Sequence, residues 1–305
     1  MNSRAMTAYL APVGLEHCVK RELSHVIGQY GRLFLTEGPL QRSFWSQNIW
    51  LNPQLYPIRS ISHASEILRG MQRNWALYSY AHHRRSQLIQ EKLPFLSNKP
   101  LTFLGALPTA ALGSWTLLED SLILASSTCS SQLPHGEFTF IEDRENPPSR
   151  AYLKLWELFT RLGRYPGRKD VCLDLGASPG GWTWVLAQQL GSRVIAYDRS
   201  PLAPHVQSLA NVQFCKGDGF KLRPDQHPEL TWIFSDLICY PDKLYDYVQK
   251  FLKTYPDKNY VFTIKFQGDL HYEVLDAFAK IDGSQILHLS HNKHELTWYR
   301  LVNVN

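Results

Sequence analysis

The 305-residue chain has only five cysteines, and none is spaced for a purpose. Cys18, Cys129, Cys172, Cys215 and Cys239 form no C-x-x-C pair and no zinc-type spacing. That argues against a zinc ribbon or a dithiol redox motif and implies free thiols in a reducing compartment. Long apolar runs are missing as well, since none approaches the ~18 residues that a membrane span requires. The opening stretch MNSRAMTAYLAPVG lacks the apolar core of a secretory signal. Internal repeats and low-complexity tracts are absent, and so is the G-x-G-x-x-G turn of dinucleotide-binding enzymes, which disfavours a nicotinamide-dependent oxidoreductase. The expectation is a soluble, cytoplasmic protein, monomeric, with no membrane partner and no metal.

What is present describes an ordinary globular chain, 44% hydrophobic and 19% charged, long enough for two domains. The net charge of +5 permits a polyanionic partner without demanding one. The clearest seam is IEDRENPPSR, from Ile141 to Arg150, charged and broken by Pro147 and Pro148. It separates a region of residues 1–145 from one of residues 146–305. Before the seam, strand-like RLFLTE and LTFLGA mix with helix-like GLEHCVKRELSHVI and SEILRGMQ, which predicts an α+β unit. After it, Ser149 is placed to cap a helix over AYLKLWELFTRL, ended by Gly163. From Val171 onward short apolar runs alternate with helical stretches, including a helix over WTWVLAQQL, which predicts an α/β fold with a mostly parallel sheet covered on both faces.

The stretch VCLDLGASPGGWTW runs from a strand through a glycine turn into a helix. Gly176, Gly180 and Gly181 let the backbone approach a ligand where a side chain would collide. With Ser178 and Pro179 inside it the turn does not spell a pyrophosphate cradle, so a nucleoside without phosphates is the better fit. Asp198, Asp218 and Asp236 fall at the ends of successive strands, where small molecules bind in α/β sheets. Asp198 can accept both ribose hydroxyls and Asp218 an adenine amino group. An adenosine carrying a sulfonium, S-adenosylmethionine, fits this set. Trp182, directly after the turn, is placed to line the same pocket, whereas Trp184 reads as core.

In order, LDLGASPGGWT, AYDRSPLAP, KGDGF, FSDL and FTIKFQG resemble the FtsJ-like RNA ribose 2′-O-methyltransferases, a resemblance covering Pro148 to about Tyr299. It implies a Rossmann-like methyltransferase domain and a catalytic tetrad of Lys154, Asp236, Lys265 and Glu295. The chemistry is coherent. A ribose hydroxyl needs a base to attack a methyl group, and a lysine serves only when a neighbouring cation and partial burial lower its pKa. Lys265 would be that base, Lys154 the neighbouring charge, and Asp236 and Glu295 the groups that orient them. Within the family, PPSRAYLKLWE, GDGFKLRP and YLAPVGLEHCVKREL are similar to the members that methylate a cytidine ribose of large-subunit (23S) ribosomal RNA and carry a THUMP-like domain ahead of the catalytic one. In that type Ser149 joins the cofactor site. The implied partner is RNA, with AHHRRSQ (residues 81–87) offering phosphate contacts and Trp75, Tyr78 and Tyr80 offering stacking surfaces. The rival reading is a methyltransferase-like module that binds RNA without modifying it.

Overall fold

The computed structural model describes residues 5–266 and 272–302, so Gln267 and Gly268 of the FTIKFQG motif lie outside the described residues. The chain divides between Phe140 and Ile141 into two compact units.

In the first unit, β1 (Met6–Leu10) is followed by α1 (Glu16–Glu22), β2 (Val26–Tyr30), β3 (Leu33–Glu37) and β4 (Asn48–Leu51). Next come β5 (Gln54–Pro57), α2 (Ile61–Met71), β6 (Trp75–Leu77), α3 (His83–Glu91), β7 (Gly113–Glu119), β8 (Leu122–Ser126) and β9 (Thr128–Cys129). They form a five-stranded sheet in the order β2-β3-β1-β4-β9 and a four-stranded one in the order β5-β8-β7-β6. Ala64 and Leu68 of α2 and Ile89 of α3 pack with Trp75, Trp115 and Ile123 of the second sheet into one core. Ser60 caps α2 by accepting the His63 N–H.

Two expectations in this unit are corrected. The helix foreseen over Gly14–Ile27 stops at Glu22, because Leu23 is extended and Val26 enters a strand paired with β3. The strand foreseen in LTFLGA reduces to a single bridge at Leu101, since the chain turns at Leu104 (φ 56°), with Gly105 N–H donating to the Thr102 carbonyl.

The second unit begins with α4 (Tyr152–Leu162), β10 (Val171–Leu175), α5 (Gly181–Trp184), β11 (Arg193–Asp198), α6 (Pro204–Gln207) and β12 (Val212–Lys216). It continues through β13 (Trp232–Ser235), α7 (Pro241–Thr254), β14 (Asn259–Lys265), α8 (Tyr272–Ala279), β15 (Ser284–Leu287) and β16 (Glu295–Arg300). The sheet order is β12-β11-β10-β13-β14-β16-β15, parallel from β12 to β14, with β16 antiparallel to both its neighbours. The central strands are continuous apolar runs because both their faces are covered.

Gly163 ends α4 in a left-handed conformation, as its position implied. Ser149, however, is not the cap of α4. The helix starts later, at Tyr152 with Ala151 before it, through a turn in which Leu153 N–H donates to the Arg150 carbonyl. The helix expected over WTWVLAQQL is regular for one turn only. It widens into a π-helical turn over Val185–Gln189, closed by Leu190 N–H on the Val185 carbonyl.

Candidate active site

The strand order changes direction between β10 and β13, the place where an open α/β sheet forms a crevice at its carboxyl ends. A cleft of about 570 Å³ opens there, lined by Gly176, Ser178, Asp198, Arg199, Gly217, Asp218, Gly219, Phe220, Asp236, Leu237, Ile238, Lys243 and Lys265. Gly176 is required by its φ of 75° and by the approach of the next loop, since a Cβ would stand 3.1 Å from the Leu237 nitrogen. Asp198 accepts the Ser178 N–H at 3.0 Å and the Ser200 N–H at 2.8 Å, which fixes its carboxylate at the rim. Asp218 accepts from Arg199 at 2.5 Å, and that guanidinium holds its carboxyl below the usual range. Phe220 lies under the Lys243 ammonium, 4.2 Å from the ring centroid. A flat apolar wall and acceptors at the strand ends fit a nucleoside.

The four residues of the expected tetrad come together beside this cleft. Residues 152–160 of α4 are all buried, so Lys154 is carried inside the unit, where an ammonium needs partners. It finds two: Glu295 Oε1 at 2.6 Å and Asp236 Oδ1 at 3.3 Å. Burial presses the pKa of Lys154 down, but the two carboxylates outweigh it and the net shift is upward. Lys265 ends β14, with Nζ 3.0 Å from the same Asp236 Oδ1 and donating to the Asp236 carbonyl at 2.6 Å. Asp236 follows the last residue of β13, with its N–H on the Leu175 carbonyl of β10. Glu295 opens β16 directly across the antiparallel ladder from Lys265. All four side chains are at most 19% exposed.

Lys154 and Glu295 also line a second cleft of about 560 Å³, with Arg150, Ala151, Leu153 and Ser290–Lys293. The two clefts therefore meet at the Asp236–Lys154 contact.

Several expected residues do not line the first cleft. Pro179, Gly180 and Gly181 shape the turn from outside its lining. Ser149 lies instead against the start of α5, its Oγ 2.5 Å from where a Cβ on Gly181 would stand. Trp182, expected in the pocket, is 3% exposed, packs edge-on to Phe234 and donates to the Ala151 carbonyl, so it is core like Trp184. In the first unit Trp75 is wholly buried and Tyr78 nearly so, which leaves only Tyr80 of the expected stacking rings at the surface. The sequence reading missed Phe220, Leu237, Lys243 and the buried Asp174. KGDGF already carried the first of these.

The fold and the two clefts define a Rossmann-like domain with a nucleoside-sized cleft beside a largely enclosed group of two lysines and two carboxylates. Residues 147–275 match the model of the FtsJ-like methyltransferase family. Domains of this family take their methyl group from S-adenosylmethionine. Among similar proteins, the Ribosomal RNA large subunit methyltransferase M of Histophilus somni is 30% identical over 50% of this chain and 46% of its own length. The protein of that name from Marinobacter nauticus is 34% identical over 50% of this chain and 46% of its own. The chain spans about half the length of these curated relatives. The RNA methyltransferase of Salinibacter ruber, solved with S-adenosyl-L-homocysteine, is 16% identical, covers 51% of this chain and 92% of its own, and has a TM-score of 0.34.

Proposed function

We propose that the protein methylates a ribose 2′-hydroxyl of RNA, on a cytidine of large-subunit ribosomal RNA, with Lys265 as general base. The observation that carries this reading is the sharing of one Asp236 oxygen by Lys265 and Lys154 at the edge of a nucleoside-sized cleft. Bound S-adenosylmethionine supplies a methyl group made electrophilic by its sulfonium. Asp198 would hold the ribose hydroxyls, with the Asp218 side and the Phe220 ring toward the adenine.

Lys154 faces two carboxylates and stays protonated, which fixes Asp236 and Glu295 in place. Lys265 has one carboxylate partner where Lys154 has two, and it also lines the donor cleft, so it is the lysine placed to accept, as the neutral amine, the proton of the attacking hydroxyl. General-base assistance of this kind is worth about 10²–10⁴ in rate. The first unit would read the RNA in the manner of a THUMP-like domain. Its exposed His82, His83 and Arg84, with Tyr80 beside them, are the contacts in question.

The test is methyl transfer from labelled S-adenosylmethionine to ribosomal RNA from cells lacking the protein, followed by nucleoside analysis. The expected product is 2′-O-methylcytidine in the large-subunit RNA. Tight cofactor binding with no label on any RNA would overturn the reading and favour a binding module.

A further inference from the structure

Beyond Lys154 and Glu295, the second cleft has no role in the reading above. Its wall from Ser290 to Lys293 is a loop tied down by side-chain hydrogen bonds at both ends. Glu157, wholly buried on α4, accepts the backbone N–H of Ser290 at 3.0 Å and of His291 at 3.3 Å, and its charge is met by Arg161 at 2.9 Å. At the other end His288 Nε2 donates to the Lys293 carbonyl at 3.1 Å. Asn292 donates to Thr297 Oγ1 at 3.1 Å, which ties the loop to β16. Burying a carboxylate to hang a loop is costly unless every contact is made. The loop so fixed brings the exposed Lys293 into the lining of the cleft that the exposed Arg150 also lines.

Direct methyl transfer requires the attacking oxygen, the methyl carbon and the departing sulfur to lie in line. With the donor in the first cleft, the acceptor enters from the other side of the Lys154–Asp236 contact, which is the second cleft. A ribose 2′-hydroxyl is adjacent to its own 3′-phosphodiester, so any RNA acceptor brings a negative charge to that place. Among the described residues the Arg150 side chain is held by an exposed pair with Glu142 alone, an interaction that a phosphate can replace at little cost.

We propose that the second cleft seats the 3′-phosphodiester of the acceptor nucleotide, with Lys293 and Arg150 as its cationic contacts and Glu157 as the residue that positions its wall. The inference rests on the RNA methyltransferase reading.

The test uses the full chain, a mixed-sequence single-stranded 12-nucleotide RNA for binding, and ribosomal RNA for methyl transfer. Lys293→Glu and Arg150→Glu change exposed side chains, and Lys250→Glu, on the exposed face of α7, is the control. Each of the first two should weaken RNA binding about tenfold and flatten the salt dependence by about one, with cofactor affinity and the control unchanged. Glu157→Gln should raise KM for RNA more than it lowers kcat, whereas plain loss of stability would lower cofactor affinity and kcat together.

Wild-type affinity for RNA in both charge reversals, with the parent protein active, would overturn the phosphate seat and leave the methyltransferase reading standing. A parent protein that binds cofactor but neither binds nor methylates RNA would overturn both.

Discussion

Two acids sit near the site in different surroundings, Asp236 half-buried and Asp174 wholly buried. Asp236 binds both lysines, so removing either cation leaves the other still in contact with it. Lys265→Ala should therefore lower single-turnover methyl transfer by about 10²–10⁴ while leaving cofactor affinity almost intact by calorimetric titration. Unchanged turnover would remove Lys265 from the role of base. Asp198→Ala should do the reverse, weakening the cofactor with a smaller effect on the rate at saturation.

Asp174, within β10, is wholly enclosed, and burial raises its carboxyl to about 7 against an ordinary 3.8. Its Oδ2 accepts from Thr183 Oγ1 at 2.6 Å. A folded pKa above the unfolded one means that this acid supports the fold fully below about pH 4 and loses that support as pH rises through 7. The loss is at most roughly 4 kcal/mol for a shift of this size. Asp174→Asn should gain stability relative to the parent between pH 5 and pH 8 in urea titrations. A constant difference between the two proteins across that range would mean that Asp174 is ionised throughout.

At the scale of elements, the turn after β10 is the most exacting piece of backbone. Gly176→Ala places a Cβ against the Leu237 backbone at a left-handed φ. It should cost about 1–3 kcal/mol and at least tenfold in cofactor affinity. An alanine variant with parental affinity would show that the Leu237 loop moves freely.

The parts of the fold that could be read from sequence were those whose signal is local. Val194–Ala196 is a short apolar run within Arg193–Asp198 that matches a buried strand, and Gly163 follows the last apolar position of its helix. Lys265 stood out as a cation in an apolar strand. Lys154 and Glu295 did not, because what buries them is tertiary. α4 is covered on every side from Tyr152 to Thr160, and β16 enters the sheet beside β14. Only the family resemblance named those two. The errors have the same origin. Residues 23–27 have helix-forming neighbours, but pairing with β3 decides their conformation. Trp182 follows the turn as a pocket residue would, yet its indole is taken up by Phe234 and the Ala151 carbonyl.

At the scale of the molecule, each unit has its own core. Trp75 and Trp115 anchor the first, and Phe159 packs on Trp232 and Phe234 in the second. The whole cofactor cleft is lined by residues of the second unit. Scanning calorimetry should therefore show two transitions, with S-adenosylhomocysteine raising only the one belonging to residues 141–305. A single transition that shifts as a whole would mean the units melt together. Of the Lys and Arg residues, 14 lie in residues 1–150 against 11 Asp and Glu, an excess too small to bind RNA by net charge alone. On the proposed reading, the local arrangement of charge carries the RNA contact.

The pairing of β14 with β16 sets Lys265 opposite Glu295. In an extended chain, neighbouring side chains point to opposite faces, so a slip of one residue would turn Glu295 away from Lys154 and leave the helices untouched. Such a molecule would keep its far-ultraviolet circular dichroism and lose the arrangement of the four side chains. For this protein, counting active sites by titration is a stricter assay of correct folding than any spectrum.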